Sequence, residues 1–559
     1  MAADRSQEQP PHTRVDFRPP TYVSDTYPRL PLELFELILD YLRLDLPALM
    51  RCRLVCRAWY CTARLPPFLL TGESNLRFTR RNAFEEFARL IGVRGNRSYF
   101  RFSELALTLV DDPTHRFVHL WALQVPEYFL SGLRVLALAE LNWTTTRPHA
   151  RFLRRLSHCV TLVQLTLSGC RFRNASVPRN VINSLPSLEA IWLWDTRFDD
   201  LPTSLSLIPP TIAHQSLKYI RIRSTSGNDL ADSFGSVHSQ NLLSLCIQYQ
   251  NITTLGLDLR YVSPSHLQRV LRHYHGLSEL WLNNAFDPTL ELEGGLPFDE
   301  ADLGGQHTEQ HLRTLSVFTL QDTSTVCALH ILRLITPYIS RNLYELTIEL
   351  VDRPSAALLR SVTRVLELTG PGLTRMKWTN EKGNVLDAVP CTSSNTSLRR
   401  LMITLCLEPS PGSTQRCLTA VLANITSPHL RSLIISINFL QPPSPSSPGE
   451  DRPMTMTNDA RHSRSAFHRV LAREVFDHFA DNISSARSII IHVSTRQIRE
   501  DTVLVSAIHA HMVDLFAPWL RRGFLALDFE GRRDVSQYAN QSFSSSFSKV
   551  YRRIRDIRH

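Results

Sequence analysis

Leu162-Val163-Gln164-Leu165-Thr166-Leu167 and, one unit further on, Leu188-Glu189-Ala190-Ile191-Trp192-Leu193 decide how this chain folds. Each copy sets an apolar residue, two others, an apolar residue, any residue and a further apolar residue. The closing part has period two, so each copy reads as a short strand with its apolar side chains on one side. Outward from these two, the pattern recurs at Leu133 to Leu138, Leu217 to Ile222, Leu277 to Leu282, Leu312 to Val317, Leu343 to Ile348, Leu373 to Trp378, Leu398 to Ile403 and Leu430 to Ile435. Phe102 to Leu107 reads as a degenerate first copy, and Ala486 to Ile491 and Phe524 to Phe529 as late ones. Leu242 to Ile247 and Ile252 to Leu257 both fit but stand too close for two repeats, and the second is preferred because a helix follows it at once.

Between copies lie helical segments such as Pro264 to Tyr274, whose Leu267, Val270, Leu271 and Tyr274 share one face. Strand-helix units repeated every 25–35 residues or so bury those faces against each other, which gives a curved α/β repeat solenoid. The copies resemble leucine-rich repeats, and the resemblance implies a horseshoe. Where that family carries Asn or Cys, three residues after the last apolar position, this chain has Cys170, Cys406 and Asn438, but Thr196, Thr225 and Ala285 in other copies. Irregular loops are expected at those turns.

Upstream stands a different pattern, Leu30-Pro31-Leu32-Glu33-Leu34-Phe35-Glu36-Leu37-Ile38-Leu39-Asp40-Tyr41-Leu42. Pro31 suits the first position of a helix, where an N–H has no internal partner. Glu33, Glu36 and Asp40 form one narrow polar stripe, and apolar residues cover the remaining faces. A second helix from Leu46 to Tyr60 aligns Leu49, Cys52, Cys56 and Trp59. A module of roughly 40 residues is near the lower limit for independent folding. Packing its two helices leaves apolar surface over, and each large side chain left in water forgoes about 1.5–3 kcal/mol. The surplus reads as a docking surface for another protein, with an ordinary hairpin packed on the downstream array as the competing reading.

Leu30-Pro31, Glu33-Leu34, Ile38-Leu39, Leu42, Asp45-Leu46, Leu49, Val55-Cys56-Arg57 and Trp59 resemble the F-box motif from end to end. The resemblance implies an all-α module over 27–68 that docks on the Skp adaptor, and through it on a cullin, of a ubiquitin ligase. Carried over position by position, the adaptor contacts are Leu30, Pro31, Leu34, Ile38, Leu42 and Trp59. The spacing itself says nothing of ubiquitin.

The chain then divides into an unstructured lead (1–26), the F-box-like module, a helical connector (69–101), the solenoid (102–535) and a basic C-terminal tail (536–559). Phe84, Phe87, Ala88 and Ile91 form the apolar stripe of the connector. Two insertions, 287–308 rich in Gly and acidic residues and 441–464 rich in Pro and Ser, are expected to be mobile.

Across 559 residues, 62 Lys+Arg against 52 Asp+Glu leave +10, a mild bias. No concentrated basic block carries interleaved aromatics, which argues against nucleic acid as partner. No secretory signal opens the chain and no uncharged run could span a bilayer, so no membrane partner is expected. The 10 cysteines lack zinc-site spacing and read as reduced thiols of a cytoplasmic or nuclear protein. Phosphate loops, nucleophile elbows, H-E-x-x-H and paired C-x-x-C are absent from the sequence. His266, His273 and His275 fit a solvated helix face better than a metal site. Neither catalysis, cofactor nor metal is expected.

Binding residues are sought on the other, concave side of the strands. The period puts Trp192, Trp194, Tyr219, Arg221, Arg223 and Trp281 there, residue types enriched in interface hot spots. With strands about 4.8 Å apart, Arg221 and Arg223 are placed to stack on Trp192 and Trp194 as cation-π pairs; alternatively these groups only cover one another. Two functions fit. One is a non-catalytic substrate receptor whose solenoid holds a protein target, an acidic or phosphorylated segment suiting the two arginines. The other is a repeat scaffold that uses the F-box-like hairpin for assembly without ubiquitin transfer.

Overall fold

The computed structural model describes residues 74–92, 105–144, 148, 150–200, 216–223, 241–284, 315–380, 389–440, 459–481, 489–498 and 501–529, with gaps at 243, 263, 340, 408 and 524. Of the N-terminal segment it describes Leu34, Leu37, Ile38, Tyr41, Leu42, Ala48, Arg51 and Cys52. These residues fall in two compact units, divided as 1–72 with 98–101, and 73–97 with 102–559.

The second unit is built on one parallel sheet of 15 strands. In chain order they are β1 (Ser74–Phe78), β2 (Leu105–Val110), β3 (Leu133–Ala139), β4 (Gln164–Ser168), β5 (Ala190–Trp194), β6 (Tyr219–Arg223), β7 (Thr254–Asp258), β8 (Glu279–Asn283), β9 (Val317–Thr323), β10 (Glu345–Leu350), β11 (Arg375–Asn380), β12 (Arg400–Leu407), β13 (Ser432–Phe439), β14 (Ile489–Ser494) and β15 (Leu525–Phe529). Sheet order equals chain order, the mark of a repeat array. The register is regular along its central row, with shifts only at one end of the β2–β3 and β9–β10 pairings. Leu136, Leu165, Ile191, Ile220, Leu255, Leu280 and Phe318 stand side by side, and Leu346, Met376, Leu401, Leu433, Ile489 and Leu525 continue the row. All are buried. Helices return the chain between strands, among them α1 (Arg81–Gly92), α2 (Pro264–His273), α3 (Thr325–Ile335) and α4 (Ala356–Thr369). Side-chain oxygens of Ser324 and Ser355 cap the last two by accepting from the Cys327 and Leu358 amides.

Turns at the strand ends are more regular than the sequence suggests. The Cys170 thiol donates to the Leu138 and Ser168 carbonyls, and the Thr196 hydroxyl donates, at 3.5 Å, to the equivalent Leu167 and Trp194 carbonyls. A hydroxyl therefore does the work of a thiol, and Thr196 does not bring an irregular loop. Thr225 and Ala285 lie outside the described residues. Residues of positive φ, Glu140 (58°), Gly169 (61°), Asp195 (49°) and Asn284 (64°), then lead the chain out of the sheet.

Four strand positions differ from the sequence reading. The sheet begins at β1, inside the segment read as a helical connector, because Ser74–Phe78 offers too few apolar residues to show the repeat. The helix of that segment does form, with Phe84, Phe87, Ala88 and Ile91 buried. In β2 the inward residues are Leu105, Leu107 and Leu109, two places later than the Phe102 to Leu107 reading. Leu312 to Val317 gives way to β9, where Phe318 and Leu320 are fully buried; Leu315 starts an equally good copy three residues on. In β15 the inward pair is Leu525 and Leu527. Of the alternatives around 242–257, β7 forms the strand and Leu242 is helical. The 441–464 insertion is shortened by a helix that begins at Asp459. Its remainder, the 287–308 insertion, the lead and the tail lie outside the described residues.

Leu165 is wholly enclosed between its counterparts on β3 and β5. Leu165→Asp should cost on the order of several kcal/mol by burying a charge, and amide exchange should rise in β3, β4 and β5 together rather than in β4 alone.

Candidate functional site

Two surfaces carry the residues singled out by the sequence. In the N-terminal unit, Leu34, Leu37, Ile38 and Tyr41 are helical, and the Leu42 amide donates to the Ile38 carbonyl at 3.0 Å. Leu34 is 50% exposed, Leu37 67% and Tyr41 89%, while Ile38 and Leu42 are half-buried. Positions i, i+3 and i+7 share one face of a helix, so these exposed side chains form an apolar stripe. Leu37 and Tyr41 were not among the expected contacts, although their spacing from Leu34 carries the signal. Leu30, Pro31 and Trp59 lie outside the described residues.

On the sheet, the face away from the inward leucines carries the aromatic ridge. Register sets Trp192 beside Arg221 and Trp194 beside Arg223 on β5 and β6. Neither tryptophan takes its neighbour's guanidinium. Trp192 and Trp194 stack on each other (5.5 Å between centroids, 30° between planes), and Tyr219 tilts against Trp192 at 6.1 Å. Arg221 instead reaches across β7 to lie over Trp281, 5.4 Å from its centroid. The reason is Gly256, which stands between them in the same row. A Cβ there would meet Arg221 Cγ at 2.9 Å, so the missing side chain is the channel in which the arginine lies. Sequence reading missed Gly256, although a glycine inside a strand is itself a sign of close approach.

The ridge is partly dry. Trp192, Trp194, Tyr219, Arg221 and Trp281 are half-buried and Arg223 is exposed. Trp281 Nε1 donates to Glu279 Oε2 at 3.4 Å, whereas Trp194 Nε1 and Arg221 Nε are buried with no hydrogen-bond partner. Burial pushes the Tyr219 hydroxyl above its ordinary value, with Arg221 opposing, so it stays a neutral donor and acceptor at pH 7.

Burial pushes the thiols of Cys159, Cys170 and Cys246 up to about 12 and that of Cys417 up to about 11, which leaves no thiolate at neutral pH. Among the described residues no group of three or more His, Cys, Asp or Glu is placed to hold a metal ion. No helix among them is long and apolar enough to cross a membrane.

Residues 27–69 match the F-box-like family model. No curated protein matches the chain in sequence. Among solved structures it is similar to the leucine-rich repeat-containing protein LegL7 from Legionella pneumophila, at 12% identity and a TM-score of 0.25, over 54% of this chain and 90% of that one. It is also similar to the Rad7 and Elc1 complex in yeast, at 11% identity and a TM-score of 0.25, over 73% of this chain and 92% of that one. The chain carries an F-box-like segment at 27–69 and, later in the sequence, an α/β repeat array built on a parallel sheet of 15 strands.

Gly256→Val should push Arg221 off Trp281. The expected readout is a change in indole emission that is absent when the same substitution is made in a Trp281→Phe background.

Proposed function

We propose that this chain is a non-catalytic substrate receptor of a Skp-cullin-F-box type ubiquitin ligase. The observation that carries the reading is the apolar stripe of Leu34, Leu37 and Tyr41, exposed inside the segment that matches the F-box-like model. Burying side chains of this size against a partner stabilises by about 1.5–3 kcal/mol each, and an adaptor of the Skp class is the partner that an F-box-like segment implies. Leu30, Pro31, Ile38, Leu42 and Trp59 complete the proposed contact set. The array supplies the second half of the function, a surface for a protein target centred on Trp192, Trp194, Tyr219, Arg221, Arg223 and Trp281. Rigid aromatic area beside an exposed cation suits hot-spot binding of an acidic or phosphorylated segment. Attachment to a cullin and a cytoplasmic or nuclear site of action belong to the same proposal.

Leu34→Asp with Ile38→Asp should abolish co-purification with the adaptor while the repeats keep their melting transition, because charge would enter a desolvated interface. Adaptor retained at unchanged affinity would remove the docking assignment. Retention of adaptor without cullin by the unaltered chain would favour assembly without ubiquitin transfer. Trp192→Ala with Arg221→Ala should abolish capture of a target by the array and leave adaptor binding intact.

A further inference from the structure

Sheet order equals chain order and the strand pairings are parallel, and crossovers between parallel strands are right-handed. The returning helices therefore lie on one side of the sheet, opposite the aromatic ridge. Four of them, α2, α3, α4 and α5 (Pro411–Ala423), turn a cationic face to water. Their exposed residues are Arg269, Arg272, Arg333, Arg360, Arg364 and Arg416, with one carboxylate, Glu367, and two small apolar residues, Val326 and Ala356, among the described side chains.

Local structure does not account for this charge. Arg269 and Arg272 stand at i and i+3, Arg360 and Arg364 at i and i+4, and like charges at those spacings share a helix face and repel. Arg364 reaches Glu367 at 3.7 Å, and Arg416 Nε donates to the Gly412 carbonyl of its own helix at 3.3 Å. Arg269, Arg272, Arg333 and Arg360 have no ion-pair partner among the described residues. The helix dipole favours cations in a last turn, which covers Arg272 and Arg333 but none of the other four. In sequence the six make no basic block, and the expectation against nucleic acid rested on that. Stacking of the repeats is what gathers them on one side.

From β7, which α2 follows, to β12, which α5 follows, is five strand steps, or about 24 Å. Charge spread over that length, one or two cations to a helix, suits a long anion of evenly repeated charge rather than one phosphate or carboxylate group. Double-stranded nucleic acid is such an anion. These helices expose no Trp, Tyr, Phe or Leu among the described residues. A single strand would find no ring on which to stack its bases, and a bilayer no aromatic or leucine to take into its interface.

We infer that the helix side of the array, through Arg269, Arg272, Arg333, Arg360, Arg364 and Arg416, binds the phosphate backbone of a nucleic-acid duplex without regard to base sequence. Phosphate contacts position a duplex and carry no sequence information. The surface shares no residue with the adaptor contacts or the ridge, so the inference stands apart from the proposed receptor role.

The test follows the fluorescence anisotropy of a labelled DNA duplex of about 20 base pairs, titrated with the purified full-length chain from about 50 to 200 mM salt. Each neutralised phosphate contributes about −0.9 to the slope of log K against log salt, so a slope between about −3 and −5 is expected. A duplex of unrelated sequence should bind within about twofold. Arg269→Gln with Arg272→Gln, and separately Arg360→Gln with Arg364→Gln, should each make the slope shallower by about 2 and weaken binding about tenfold or more. Both pairs are exposed, so the melting transition should not fall. Lysine at the same four positions should restore the slope, because a phosphate contact without base readout needs the charge alone. Trp192→Ala with Arg221→Ala should leave duplex binding unchanged. No binding of the duplex at the lowest salt, a slope unaltered by both glutamine pairs, poly-glutamate bound as tightly, or tighter binding of single-stranded DNA or of phosphatidylserine vesicles would each overturn the inference.

Discussion

A single hydrogen-bond register, kept from one strand to the next along the sheet, is what the rest of this structure depends on. The row from Leu136 through Leu165 and Leu401 to Leu525 is buried because every member stands level with its neighbours. A slip of one residue in any strand would turn its leucines outward and its polar residues in. Repeats of this kind bury their inner faces only against one another. The outward rows inherit the same register, so the places of the ridge residues follow from the packing of the core.

Trp281 shows what that inheritance does. It belongs to β8 and Arg221 to β6, and their contact needs both the shared row and the empty place at Gly256 between them. Once there, the guanidinium is committed to an aromatic face and its Nε is out of water. Arg223, one place further along the same face, stays exposed. Two arginines two residues apart thus take opposite roles because one neighbouring strand has a glycine in the first row and not in the second.

How much of this was legible follows from the same physics. Copies with all three apolar positions filled, such as Leu188 to Leu193 and Leu343 to Ile348, lie where the period puts them. Misplaced copies had either no apolar residue at the first position, as before Leu107, or two overlapping choices, as at Leu312 and Leu315. Local periodicity could not arbitrate there, and burial of Phe318 and Leu320 against adjacent strands did. The face of each ridge residue was readable because strand period fixes it. Which ring Arg221 would choose was not, since that is decided by a glycine in another repeat.

The row that carries Trp281 does not stay open beyond it. Thr319 and Thr347 continue it on β9 and β10 and are 3% and 8% exposed, and Lys377, next along, is held by Glu349. Side chains that face outward and are still out of reach of water are covered by their neighbours, so the outward face is closed at this level, and the surface proposed for a target stays with the ridge on β5, β6 and β8.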